Sequence, residues 1–159
     1  MIDRRELFRQ AAAVAAVSAL ARREAFAQAQ QGGEMSRFLS GFTVSKVQTT
    51  GTTIHVVKGG QGPPLLLLHG APQTHITWRL VAPELAKQYT VVVPDLRGYG
   101  DSGKMPDTPD HANYSKRAMA LDQVEVMKHF GFDRFPVVGQ DRGGRVAHRM
   151  ALDHAEKVT

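Results

Sequence analysis

Apolar residues along this chain fall into short continuous runs separated by stretches with helical spacing. Phe42-Thr43-Val44-Ser45-Lys46-Val47 and Thr53-Ile54-His55-Val56-Val57 alternate or cluster β-formers around Gly51, which predicts an antiparallel hairpin. Gly59-Gly60-Gln61-Gly62-Pro63 reads as a turn. The run Leu65-Leu66-Leu67-Leu68 fits a strand buried on both faces, ended by His69-Gly70-Ala71-Pro72. A helix is predicted from Trp78 to Gln88, with Leu80, Val81 and Leu85 apolar and Pro83 early in it. Tyr89-Thr90-Val91-Val92-Val93 is the next buried strand, closed by Pro94-Asp95. A polar connection from Leu96 to Asp110 is rich in Gly, Asp and Pro. Ser115 is placed to cap a helix running to Phe130, with Ala118, Leu121, Val124 and Met127 as its apolar period and Gly131 as its stop. Phe135 to Val138 is the last strand and Asp141 to His154 the last helix. Strands alternating with helices predict an α/β fold: a mostly parallel sheet with right-handed crossovers and helices on both faces.

The junction of the last strand and helix carries the candidate chemistry. Val137-Val138-Gly139-Gln140-Asp141-Arg142-Gly143-Gly144-Arg145 has the pattern Gly-x-Asp-x-Gly directly after a strand. This is the pattern of a nucleophile elbow, a sharp turn that lifts one side chain off the sheet. Small residues two positions either side let the backbone turn without a Cβ clash. Where esterases and lipases carry Ser, this elbow carries Asp141. A carboxylate that attacks saturated carbon makes an alkyl ester that water can hydrolyse, whereas a serine would leave an inert ether. The elbow therefore points to displacement at sp3 carbon and not to acyl transfer.

Charge changes the picture at the N-terminus. Arg4-Arg5-Glu6-Leu7-Phe8-Arg9 precedes the weakly apolar run from Ala11 to Ala21, followed by Arg22-Arg23 and Ala25-Phe26-Ala27. That order is a basic region, an apolar region too short to span a bilayer, and a small-x-small cleavage site. The paired Arg and the Ala-dominated run resemble a twin-arginine signal, predicting cleavage after Ala27 and export to the periplasm. An Ala-rich amphipathic helix is the other reading of residues 1–27. Residues 28–41, rich in Gln, Gly and Ser, then read as a flexible lead-in, and 42–159 as a partial catalytic domain. Removing five Arg and three acids of the signal from 20 basic and 15 acidic residues leaves 15 against 12. Those charges are dispersed without aromatic interleaving, so no nucleic-acid partner is expected. The absence of Cys excludes disulfides, thiolate zinc sites and a Cys nucleophile.

Three further motifs bear on the site. His69-Gly70-Ala71-Pro72 stands where half of an oxyanion hole is built, with the Ala71 amide pairing with that of Arg142 beyond the nucleophile. A turn alone is the other reading of that motif. Arg142 and Arg145 lie beside and one turn beyond Asp141, so both can face the space above it. Cations at a helix N-terminus oppose its dipole, and an anionic ligand would offset that; two guanidiniums suit bidentate capture of a carboxylate. Asp95-Leu96-Arg97-Gly98-Tyr99-Gly100-Asp101-Ser102 reads as a structural loop packed by Tyr99 and pinned by Asp95–Arg97 hydrogen bonds. His75, His111, His148 and His154 are scattered and none is placed as a base, His75 being the first candidate for an exception.

These motifs together resemble the α/β-hydrolase fold and, more narrowly, the haloacetate (fluoroacetate) dehalogenase family. The matching stretches are His69 to His75, Asp95 to Ser102, Asp110 to Ser115, Arg117 to Ala120, Asp122-Gln123 and Gly139 to Asp153. Haloalkane dehalogenases and epoxide hydrolases are similar in fold but usually carry Trp after the nucleophile, where this chain has Arg142. Gln140 stands where His is usual, and Ala71 where a larger aromatic is usual. The resemblance implies hydrolytic dehalogenation of short 2-haloacids, with Asp141 as nucleophile and Arg142 and Arg145 holding the substrate carboxylate. It implies no metal and no organic cofactor, a small anionic substrate, no stable membrane insertion, and a homodimer as the expectation for the full-length protein. The family's catalytic acid, general-base His, cap and halide-binding residues all fall after the position of Thr159, so the chain reads as the N-terminal portion of a longer enzyme, inactive alone. Epoxide hydrolysis through the same aspartyl ester is the alternative activity, and anion binding without turnover the non-enzymatic one.

Overall fold

The computed structural model describes residues 39–159. The signal predicted over residues 1–27 and all but the end of the lead-in lie outside the described residues. Leu39, inside the stretch read as flexible, is instead buried in the core, and its carbonyl accepts from the Phe42 amide at 3.0 Å.

Five strands form one mixed sheet in the order β1-β2-β4-β3-β5. β1 (Thr43–Gln48) and β2 (Thr53–Gly59) make the predicted antiparallel hairpin. β2 also pairs antiparallel with β4 (Thr90–Pro94). β3 (Pro64–Leu68) runs parallel between β4 and β5 (Val137–Gly139). The parallel part is therefore β4-β3-β5, and the hairpin extends it on one side. Because side chains alternate across a strand, Leu66, Leu68 and Val92 enter one core and Leu65, Leu67, Val91 and Val93 the other. Each fully buried Leu of β3 contributes about 1.5–3 kcal/mol. That double-sided burial is what the run of four Leu announced.

Helices cover both faces. α2 (Lys116–His129) and α3 (Arg142–Asp153) pack on the first core through Met119, Val126, Met127, Val146 and Met150. α1 (Ala82–Leu85) and a 3-10 turn at His75–Trp78 cover the second through Ala82, Leu85 and Trp78. The helix predicted over 78–88 is thus two short pieces. Pro83 has no amide hydrogen and sits in the first turn of α1, so the chain re-starts there, leaving Leu80 75% exposed. Ser115 caps α2 as expected, accepting from the Ala118 amide at 3.2 Å. Its buried face is the predicted one only in part: Met127 is buried and Val124 packs against the core. Leu121 is exposed, while Asp122 and Gln123 are buried beside Met119, Ala120, Val126 and Met127. Asp122 is inside because Arg97 meets it with two bonds, at 2.6 and 2.7 Å, and Thr49 Oγ1 donates to it at 2.8 Å.

The Asp95–Ser102 loop also departs from expectation. Arg97 reaches Asp122 and the Asn113 carbonyl, not Asp95. Asp95 instead accepts from the His75 amide at 2.7 Å, pairs with the His75 ring at 2.8 Å and accepts from the Asp101 amide at 3.0 Å. Tyr99 packs edge-on against His69, as expected of a structural loop. Among the described residues no helix is long and apolar enough to cross a membrane.

Candidate active site

β3 and β5 are neighbours, with Leu68 opposite Gly139, so the turns that follow them meet at the carboxyl end of the sheet. This is the place where wound α/β sheets bind ligands. The Gln140 amide donates to the Leu68 carbonyl at 3.2 Å and ties one turn to the other. Asp141 then adopts φ 45° and ψ −114°, a backbone region that residues with a Cβ rarely occupy. Strain of this kind persists where the surroundings over-determine it. Here they do. A Cβ on Gly139 would lie 2.5 Å from the Gly143 backbone, and one on Gly143 would lie 2.3 Å from the Leu68 carbonyl oxygen. The small residues two positions either side of Asp141 are therefore required by close backbone packing as well as by the turn itself.

The Ala71 amide donates to Asp141 Oδ2 at 2.9 Å. Together with the Arg142 amide, it holds the Asp141 carboxyl below the usual carboxylate range, and the charges of Arg145 and Arg142 act in the same direction. Asp141 is exposed, with its carboxylate bonded by the Ala71 amide and its charged form further favoured by the neighbouring Arg142 amide. Gly70 makes the approach possible, since a Cβ there would meet Asp141 Cβ at 2.9 Å.

A cleft of about 490 Å³ opens beside the elbow, lined by Lys116, Asp141, Gly144, Arg145, His148, Arg149 and Leu152. Arg145 is in this lining. Arg142 is exposed at the first position of α3 and is not. Among the described residues, neither Arg142 nor Arg145 forms an ion pair, whereas Arg149 pairs with Asp153. Arg149 and Lys116 are the cleft cations that sequence reasoning missed. Lys116 comes from α2, and only tertiary packing brings it to α3. Gln73 was missed too: its Oε1 accepts from the Gly70 amide at 3.2 Å and from Gln140 Nε2, which is the structural use of Gln140.

The histidines separate. His148 lines the cleft; His111 pairs with Asp107 on the surface; His154 closes α3. His75 is buried with its ring on Asp95. His55, His75 and Asp95 together offer atoms within 4.8 Å of one another. The Asp95 oxygens are already occupied by His75 and the Asp101 amide, so this group braces the loop. His69 Nε2 accepts from the Leu96 amide at 3.0 Å, which places the ring proton on Nδ1 toward the Gly70 carbonyl. Burial pushes the His69 and His55 pKa values down, and both rings are neutral.

A wound α/β sheet whose elbow bears a carboxylate under two amides defines the hydrolase class of α/β protein. Similarity to known proteins agrees: the family model described as alpha/beta hydrolase fold matches residues 63–159, and the chain belongs to that family. A fluoroacetate dehalogenase from Burkholderia sp is 59% identical over 118 residues, 74% of this chain and 39% of that protein. A soluble epoxide hydrolase from Corynebacterium sp. (strain C12) is 46% identical over 116 residues, 73% of this chain and 39% of that protein. A solved structure from Nostoc sp PCC 7120, assigned to the alpha/beta hydrolases, superposes with a TM-score of 0.73 at 59% identity, covering 74% of this chain and 40% of that one. The chain thus spans about two fifths of the length of these relatives.

Proposed function

We propose that the protein is a hydrolytic dehalogenase of short 2-haloacids, working through an ester on Asp141. The observation that carries this reading is the elbow carboxylate held by the Ala71 amide through Oδ2. That bond marks Oδ2 as the future ester carbonyl oxygen and leaves Oδ1 to attack. Oδ1 displaces halide from the α-carbon: the C–O bond forms as the carbon–halogen bond breaks, and the halide leaves with the bonding pair. Arg142 and Arg145 hold the substrate carboxylate. A histidine contributed by the full-length protein takes a proton from water, which attacks Cγ of Asp141. The negative charge then develops on Oδ2, within reach of the Ala71 and Arg142 amides. Collapse expels the alkoxide, which takes the proton back from the histidine and leaves as the 2-hydroxyacid, and the carboxyl so formed releases its remaining proton to solvent, restoring the Asp141 carboxylate.

The Burkholderia relative supports this assignment by name, and two guanidiniums near Asp141 that form no ion pair among the described residues suit an acid substrate better than a neutral one. The second reading, epoxide opening by the same oxygen, is favoured by the Corynebacterium relative. Assays of the full-length protein with chloroacetate and with styrene oxide separate the two. Halide release without diol formation is expected; diol formation without halide release would reverse the assignment. Residues 1–27 we propose as a twin-arginine export signal, which would put the enzyme in the periplasm.

A further inference from the structure

Lys116 is the first residue of α2, and its side chain lines the cleft beside Asp141 and Arg145. It is half-buried, yet among the described residues it has no carboxylate or carbonyl partner; its one acceptor is the Met119 thioether at 3.6 Å, a weak one. The groups acting on it from α3 are Arg142 and Arg145, which repel it, and Asp141, which attracts it. His148 and Arg149 share the cleft, and Arg149 is occupied by Asp153. On its own helix Arg117 is likewise occupied by Asp153. Lys116 and Arg145, from two helices, thus line the cleft beside Asp141 with Arg142 acting on Lys116 from the start of α3, and among the described residues none of the three cations forms an ion pair. Such an arrangement is costly when empty and favourable once an anion enters.

We infer that Lys116 is a substrate-positioning residue, a third cation that, with Arg145, draws the carboxylate of the substrate into the cleft. The inference rests on the reading of Asp141 as a nucleophile for haloacids. Burial and the two guanidiniums lower the Lys116 pKa, so its contribution is present while it is protonated and is lost as pH rises through that lowered value. Arginine at this position would not titrate in the same range.

The test uses glycolate, which has the carboxylate of a haloacetate and no leaving group, and glycolamide as its neutral counterpart. Binding to the full-length protein is measured by calorimetry from neutral to alkaline pH, with thermal melts confirming that each variant is folded. Lys116→Met is expected to weaken glycolate about tenfold, in line with the loss of one charged hydrogen bond, and to leave glycolamide unchanged. Lys116→Arg is expected to restore glycolate binding and to abolish its alkaline loss. Unchanged glycolate binding in Lys116→Met, alongside weakened binding in Arg145→Met, overturns the role of Lys116 and leaves the reading of Asp141 standing. Failure of the unaltered protein to bind glycolate overturns both.

Discussion

Asp141 is held at a strained backbone angle with its carboxylate under the Ala71 and Arg142 amides, so its surroundings favour the ionised form. In the proposed mechanism those donors face the carboxylate on which charge would develop during ester hydrolysis, a geometry that lowers such a barrier. Much of this was legible in the residues. Gly139, Asp141 and Gly143 state the elbow, and Gly70-Ala71 states the facing amide, because both are local backbone requirements. Lys116, Arg149 and Gln73 were not legible, since each enters through packing between segments distant in the chain. Arg145 lines the cleft and among the described residues has no ion-pair partner, which gives a prediction at this scale. Arg145→Met should raise KM for a haloacetate in the full-length protein, by the equivalent of about 1.5–3 kcal/mol for hydrogen bonds to a charged group. A neutral haloamide should be little affected. Equal losses for both substrates would make Arg145 structural.

Among the elements, α2 and α3 form the wall that carries the cleft, and a surface clamp joins them. Arg117 of α2 donates to Asp153 of α3 at 2.9 Å, and Arg149 donates to the same carboxylate at 2.7 Å. The bonds from Arg149 and then Arg117 lower the Asp153 pKa from 3.8 to about 2. A depressed carboxylate stabilises the fold above its unfolded pKa and loses that contribution as pH falls through the folded one. Asp153→Asn should therefore be less stable than the unaltered protein near neutral pH. The difference should shrink below about pH 4 and vanish near pH 2, as read by urea unfolding across that range. A difference independent of pH would assign the effect to packing. Element types were readable where the pattern was strong, as in the continuous apolar run of β3 and in the strand-to-helix junction that opens α3. They were misread where polar residues go inside: the apolar period of α2 pointed to Leu121, but Arg97 and Thr49 draw Asp122 into the interior. A buried pair of this kind costs about 3–5 kcal/mol when one partner is removed. Pattern counting alone does not see that constraint.

At the scale of the molecule, β5 lies between β3 and the last residues of the chain. Phe135 bridges Val158 in parallel, its amide donating to the Lys157 carbonyl at 2.9 Å and its carbonyl accepting from the Thr159 amide at 3.2 Å. The sheet edge beyond the elbow strand is thus paired at one end, while Val138 stands 45% exposed. The export proposal also belongs to the molecule as a whole. Arg4→Lys combined with Arg5→Lys should hold precursor in the cytoplasm, with Gln28 as the N-terminus of unaltered exported protein; undiminished periplasmic protein would remove the twin-arginine assignment.

The proposed mechanism depends above all on alkylation of Asp141 at sp3 carbon. Residues 1–159 contain no Cys, the side chain that haloacids most readily alkylate, so an adduct on a peptide from this stretch is informative. The direct measurement is peptide mass spectrometry of protein incubated with chloroacetate and quenched in acid, beside Asp141→Asn. A carboxymethyl group is expected on the peptide containing Asp141, at no more than one per chain because the ester turns over, with no adduct in the variant. An adduct on another residue, or halide release with Asp141→Asn undiminished, would contradict the nucleophilic role of Asp141.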